Sequence, residues 1–353
     1  MSFGVVYDES LKAYDFGPGH PFRGDRYVNF MRVFEELFHG VEELTVVKPV
    51  KATLEDLLLV HSKEYVERIV EGCKRSRVYD PDTPLHPNLE EAARLITGSS
   101  LTAGELVMEG GFKKAVGIGG GMHHAKRDRE GGFCIYNDVA ILARKLLTRK
   151  DVKRVLILDT DVHAGDGTAE IFYGDPNVLL VDIHQDPLTL YPGTGFIHQI
   201  GVGEGEGYTV NVPMPPGSSD EAYEIVLNEI FTPLALEFKP DIIVRNGGSD
   251  PHFADALASM KLTLKGFKLI GETVRKVAAQ VTDGKVVDLQ GSGYNPKVLP
   301  YAWVSLIIGL SGVELELKES TPPPEAETPS QKVFEVVEKV KKALKPYWRC
   351  MSG

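Results

Sequence analysis

Three carboxylates and a histidine fall within eight residues in Asp159-Thr160-Asp161-Val162-His163-Ala164-Gly165-Asp166. The apolar run before them, Val155-Leu156-Ile157-Leu158, reads as a buried strand. Strand side chains alternate faces, so Asp159, Asp161 and His163 emerge on one side. Carboxylate oxygens beside an imidazole nitrogen suit a divalent metal. The glycines that follow let the chain turn tightly into a helix. Asp166 is also a candidate cap for that helix. Capping explains one acid and not the group, so metal-assisted chemistry is the favoured reading.

Other groups join only in context. His123 and His124 follow Gly119-Gly120-Gly121-Met122. By themselves they read as loop histidines. A preceding strand and the separate acid cluster shift the reading towards proton transfer. Asp250, after Gly247-Gly248-Ser249, is a candidate third ligand beside Asp161 and His163. Three protein ligands leave positions open for water and substrate. On local pattern alone a solvated loop aspartate is an equal alternative, and His252 reads as a supporting or loop residue. Tyr294, in Gln290-Gly291-Ser292-Gly293-Tyr294-Asn295, offers a hydrogen bond to a developing oxyanion. A lone tyrosine after a glycine turn is more often structural.

Strand-like runs occur at Ala115–Ile118, Val155–Leu158, Val178–Ile183, Tyr208–Val212, Asp241–Val244 and Val286–Leu289. Helical patterns at Asn137–Leu147, Asp220–Phe238 and Thr263–Ala279 separate several of them. This alternation predicts an α/β fold with a mostly parallel central sheet and helices on both faces. Ligands bind beyond the carboxyl ends of such strands, where the candidate groups cluster. Residues 1–110 read as mainly helical, with loops at Phe16–Gly24 and Tyr79–Pro87. The expected division is a catalytic body over 1–312, a flexible acidic and Pro-rich connector over 313–331, and a helix and tail over 332–353. Val333, Phe334, Val336, Val337, Val340 and Leu344 suit that last helix to fold back on the body or to cover an oligomer contact.

The chain has 353 residues, 42% of them hydrophobic, which is ample for a sizeable core. No apolar run approaches the ~20 residues that span a bilayer. The N-terminus lacks the order of a signal peptide, so a cytoplasmic protein with no membrane partner is expected. Cys73, Cys134 and Cys350 are far apart and odd in number, which suggests no disulfide framework. A formal net charge of −11 argues against broad nucleic-acid binding.

Five motifs in order, GMHHAK, GGFCIYND, DTDVHAGDGT, LYPGTG and QGSGYN, resemble the zinc-dependent histone deacetylase superfamily. That superfamily includes acetoin-utilisation proteins and acetylpolyamine amidohydrolases, and the resemblance runs from about Val5 to about Leu310. It implies the three-layer arginase/deacetylase-like fold and removal of acyl groups from lysine-like amines. Asp161, His163 and Asp250 would be the zinc ligands, with ferrous iron as the alternative metal. His123 and His124 would be the tandem histidines, held by Asp159 and Asp166 respectively, with His124 the general base and acid. Tyr294 would stabilise the oxyanion. Gly132, Phe133 and Tyr191 would line a narrow tunnel, and Arg26 would guide acetate behind the metal. Asp80 or Asp82 would bind substrate at the rim. Backbone around Asp159, Asp161, His163, Asp182 and Ile183 resembles the family's structural potassium site.

The chain also departs from the family pattern. Asn246-Gly247-Gly248-Ser249-Asp250-Pro251-His252 differs from the commoner Gly-Ala/Phe-Asp forms, and Tyr191 stands where phenylalanine is frequent. A binuclear arginase-type manganese site lacks its bridging acids, since Gly165 and His252 occupy the positions two after His163 and Asp250. A polyamine deacetylase would carry a longer insertion than Phe16–Gly24. A binding protein without activity would have lost a ligand, a tandem histidine or the tyrosine. The expected partner is therefore an acyl-lysine peptide or a small acylated amine, with oligomerisation left open.

Overall fold

The computed structural model describes residues 3–41, 43–325 and 330–352. One sheet holds β1 Phe3–Val6, β2 Leu44–Val47, β3 Lys114–Ile118, β4 Val155–Asp159, β5 Val178–Gln185, β6 Thr209–Met214, β7 Ile242–Gly247 and β8 Val286–Gln290. Their spatial order is β2-β1-β3-β8-β7-β4-β5-β6, and every neighbouring pair is parallel. The helices are α1 Asp25–Leu37, α2 Leu54–Leu57, α3 Lys63–Lys74, α4 Leu89–Met108, α5 Asp138–Leu147 and α6 Asp166–Phe172. They continue as α7 Asp220–Val226, α8 Thr232–Phe238, α9 Leu264–Val281, α10 Leu299–Ser311 and α11 Ser330–Leu344.

Helices cover both faces, so the central strands are buried along their whole length and open on continuous apolar runs rather than alternating. All five residues of β4 are buried. Helix α10 is buried nearly all round between α1 and α9. Two glycines allow that closeness. A Cβ on Gly271 would lie 2.4 Å from the Leu306 carbonyl oxygen, and one on Gly309 would lie 2.1 Å from that of Lys268.

Three local features differ from the sequence reading. The first 110 residues are mainly helical, as α1 to α4 show, but they also hold two strands that the sequence reading missed, β1 and β2, which form one edge of the sheet. Both strands are four residues long, too short for periodicity to separate them from helix. The pattern over 220–238 is divided into α7 and α8 by a π-helical turn, Leu227–Phe231. Pro233 has no N–H to donate, and the widened turn absorbs the gap. After α10, Val313, Leu315 and Leu317 pack against the core while Glu314, Glu316 and Lys318 are exposed. Residues 313–319 therefore form an extended strap with alternating faces, and residues 320–325 are exposed.

Helix α11 lies against β6 and α7. Val333, Val337, Val340 and Leu344 are buried there, whereas Phe334 points outward at 43% exposure. Among the described residues, no helix is long and apolar enough to cross a membrane.

Beneath the carboxyl edge, Arg245 on β7 and Asp288 on β8 are in register. They form a buried ion pair, extended by Arg245 Nη1–H to Thr160 Oγ1 (3.2 Å) and Gln290 Nε2–H to Asp288 Oδ2 (2.7 Å). Removing one partner leaves a buried charge unpaired. Asp288→Leu should cost roughly 3–5 kcal/mol in urea unfolding. The double variant Arg245→Leu/Asp288→Leu should recover much of that loss; an equal loss in both would contradict the pairing argument.

Candidate active site

The strand register assembles the site. Asp159 pairs with Asp182 on one side and Asn246 on the other, so three strand ends present polar side chains in one row. Asn246 Nδ2–H donates to Asp159 Oδ2 at 2.9 Å, and that oxygen also lies 2.8 Å from His123 Nδ1. Asp182 accepts from the Gly165 amide at 2.8 Å and from His184 Nδ1 at 2.8 Å. This fixes the turn after His163.

The tandem histidines come from the loop between β3 and α5. Asp138, the first residue of α5, accepts the amides of Gly121 (3.0 Å) and Met122 (2.7 Å). Asn137 Nδ2–H donates to the carbonyls of His123 (3.2 Å) and Ala125 (2.9 Å). Each imidazole thus has a fixed backbone and an acid behind it, since His124 Nδ1 lies 2.8 Å from Asp166 Oδ1. The two Nε2 atoms are 3.1 Å apart, so only one can carry a proton directed at the other.

Electrostatics separates the pair. Burial opposes charge on His123, but Asp159 and Asp161 outweigh it and push the group up to about 10. Burial and the neighbouring His123 push His124 down to about 4. Burial would raise Asp166, yet His124 and Lys126 pull it down to about 2. Lys126 Nζ donates to Asp166 Oδ2 at 2.5 Å. Burial raises the Tyr294 phenol well above its ordinary value, with Asp250 and Asp161 adding to the effect, so it remains a donor.

Asp161, His163 and Asp250 converge beside these imidazoles. One donor atom from each lies within 4.8 Å of the others, and all three residues are buried. His163 Nδ1 is 3.0 Å from Asp161 Oδ1 and 3.3 Å from Asp250 Oδ2. Asp250 Oδ1 accepts from Ser292 Oγ (3.0 Å), while its Oδ2 accepts no hydrogen bond. Burial and Asp161 push Asp250 up to about 7, while burial of His163 is outweighed by the two acids, which push it up to about 9. The donor set therefore calls for positive charge, and two carboxylates with one imidazole fit a divalent cation. This is the one such cluster among the described residues.

A cavity of about 360 Å³ leads to His124, His163 and Tyr294 between Phe133, Tyr191, Leu190 and Leu257. The Tyr191 ring stands edge-on to His124, with centroids 5.0 Å apart. Gly132 has φ +55°, and a Cβ there would lie 2.4 Å from His124 Cδ2, so only glycine admits this approach. Phe133 is also left-handed, held by its amide to Thr83 Oγ1 (3.1 Å) and its carbonyl to the Tyr14 hydroxyl (2.7 Å).

The structure separates Asp82 from Asp80. Asp82 lines the cavity mouth, whereas Asp80 Oδ1 accepts the Asp82 amide at 2.9 Å and supports the turn. Arg26 lies behind Tyr294, with its guanidinium carbon 5.5 Å from that ring. Its nitrogens donate to the carbonyls of Arg23, Gly291 and Pro21, so it does not line the cavity. Asn137, Asp138, Asn246, Lys126 and Ser292 did not emerge from the sequence as site residues. Asn137 and Asp138 close the GGFCIYND motif, and Asn246 is the strand partner of Asp159. Those positions were the available signals.

Fold and site together define an α/β protein with a candidate metal centre at the carboxyl edge of its sheet. The family description "Histone deacetylase domain" matches residues 20–310, and the chain belongs to that family. A "Probable deacetylase" of Archaeoglobus fulgidus is 36% identical over 365 aligned positions, covering all of both chains. The "Acetoin utilization protein AcuC" of Bacillus subtilis is 33% identical over 88% of this chain and 82% of its own. Among solved structures, the HDA15 HD domain superposes with a TM-score of 0.87 at 26% identity, covering 99% of this chain and 96% of that one.

Behind the tandem histidines, buried His61 is 3.1 Å from the Arg127 carbonyl through Nδ1 and accepts the Asn137 amide at Nε2 (3.0 Å). Burial pushes it from 6.5 down to about 4. The unfolded chain therefore binds the extra proton first. Stability from neutral His61 is complete above pH 6.5 and falls as pH drops through the folded value near 4. The gap is worth roughly 3 kcal/mol. His61→Gln should flatten the pH dependence of unfolding between 6.5 and 4, measured by urea melts; an unchanged slope would contradict this.

Proposed function

We propose that the protein is a zinc-dependent deacetylase that removes acetyl or related acyl groups from lysine-like amines. One observation carries the reading. A buried Asp161–His163–Asp250 cluster faces a carboxylate-backed histidine pair at the floor of a narrow aromatic cavity. Zinc is the metal proposed, with ferrous iron as the alternative that the same donors accept. Backbone around Asp159, Asp161, His163, Asp182 and Ile183 would serve a structural potassium ion. The free thiols Cys73, Cys134 and Cys350 support a cytoplasmic setting.

Asp161, His163 and Asp250 would hold the cation. When bound, a divalent cation polarises the amide carbonyl and makes nearby water more acidic. Neutral His124 takes the proton of the attacking water at Nε2, while Asp166 keeps its Nδ1–H oriented. The Tyr294 hydroxyl donates to the oxygen on which charge develops, a contribution of about 3 kcal/mol. The protonated histidine then delivers its proton to the leaving amine. Asp159 orients His123 through Nδ1 beside the same site. Phe133 and Tyr191 exclude water and admit a slim alkyl chain, and Asp82 at the mouth offers a carboxylate to a substrate amide or cation. Acetylated polyamines fit the same features and form the second substrate class. A relative that is named a deacetylase and spans the whole chain supports the reading.

Acetate release from an acetyl-lysine peptide and from an acetylpolyamine tests it. The zinc-loaded protein should hydrolyse at least one. Tyr294→Phe should lower kcat by roughly 10²–10³-fold. Chelator should abolish turnover, and added Zn²⁺ should restore it. No hydrolysis of either substrate by protein with one bound metal per chain would contradict the proposal and favour a binding role.

A further inference from the structure

We propose that Glu319 is a positioning residue for the Asp250 loop, reaching it from a strap beyond the matched family domain. This rests on the reading of Asp250 as a metal ligand. The family match ends at residue 310, and the strap begins immediately after α10. Its alternation turns Val313, Leu315 and Leu317 inward, and Glu319 is next in that series. A carboxylate turned towards a protein body must find donors there.

Glu319 finds two. Its Oε1 accepts the amide of Leu264, the first residue of α9, at 2.6 Å. Its Oε2 lies 3.2 Å from His252 Nε2. His252 Nδ1 accepts the Ala254 amide at 3.0 Å, which places the donated proton on Nε2. The imidazole is 1% exposed and stacks on Phe267 of α9, with centroids 6.2 Å apart and planes 10° apart. One glutamate thus ties a helix N-terminus, where negative charge is favoured, to a buried histidine.

The histidine belongs to the loop that carries Asp250. Its amide donates to the Ser249 carbonyl at 3.1 Å, closing a tight turn around Asp250 and Pro251. Leu262 N–H to the Pro251 carbonyl (3.1 Å) and Phe253 N–H to the Leu262 carbonyl (3.0 Å) pin the loop from outside. The same loop holds the oxyanion candidate, because Asp255 Oδ2 accepts the Tyr294 amide at 2.7 Å. Glu319 therefore restrains a segment that fixes both a ligand and a hydrogen-bond donor. Partners behind metal ligands tune affinity by limiting ligand freedom.

The test is Zn²⁺ affinity by chelator competition, with the metal-free fold followed by thermal unfolding. Glu319→Gln loses the charge and one acceptor, and keeps a single oxygen that reaches the Leu264 amide at 2.6 Å and His252 Nε2 only at 3.4 Å. His252→Phe keeps a ring against Phe267 and removes the donor. Glu319→Ala and His252→Phe should each weaken zinc binding roughly tenfold, with Glu319→Gln between them and wild type. Glu316→Gln, on the outward face of the strap, should bind like wild type. Unchanged affinity in folded Glu319→Ala and His252→Phe proteins would overturn the proposal, as would a loss confined to metal-free stability. A wild type that binds no Zn²⁺ would instead overturn the metal-site reading beneath it.

Discussion

Buried carboxylates cannot stay unpaired, and that constraint organises this protein. Asp159, Asp161, Asp166, Asp182, Asp250 and Asp288 all lie out of water near the carboxyl edge of one sheet. Most are answered by the chain itself. His123 and Asn246 serve Asp159, His124 and Lys126 serve Asp166, His184 serves Asp182 and Arg245 serves Asp288. Asp161 and Asp250 are different, because both turn to the imidazole of His163, and the other imidazole near Asp161, that of His123, is already held by Asp159. The imbalance falls where the tunnel ends, which is where a cation with open positions is useful.

The pairing works because a parallel sheet aligns its strand ends. Asp182, Asp159 and Asn246 share one row by register alone, and Arg245 faces Asp288 in the same way. Loops then bring His123, His124 and Tyr294 over that row. Their positions are set by buried polar contacts from Asp138, Asn137 and Asp255 rather than by loop stiffness. Such a network is costly if half satisfied and specific if complete.

Much of this was legible in the sequence, for reasons that particular residues show. The run into Asp159 announces both a buried strand and a polar end. The ordered motifs indicate which distant histidines and acids meet it. β1 escaped because four buried residues carry no usable period. Glu319 escaped for another reason. Composition makes its neighbourhood look like a linker, while Val313, Leu315 and Leu317 alternate like a strand. The roles of Asp80 and Asp82 could not be separated from sequence, because which acid reaches the mouth depends on a turn closed by their own hydrogen bond.

Asp161, His163 and Asp250 are proposed to hold a catalytic divalent cation. Anomalous X-ray scattering at the zinc edge, from crystals grown with Zn²⁺, tests it most directly. A peak is expected at roughly 2.0–2.2 Å from one atom of each of these three side chains. A peak held by other residues, or none at this cluster in crystals soaked to saturation, would contradict it.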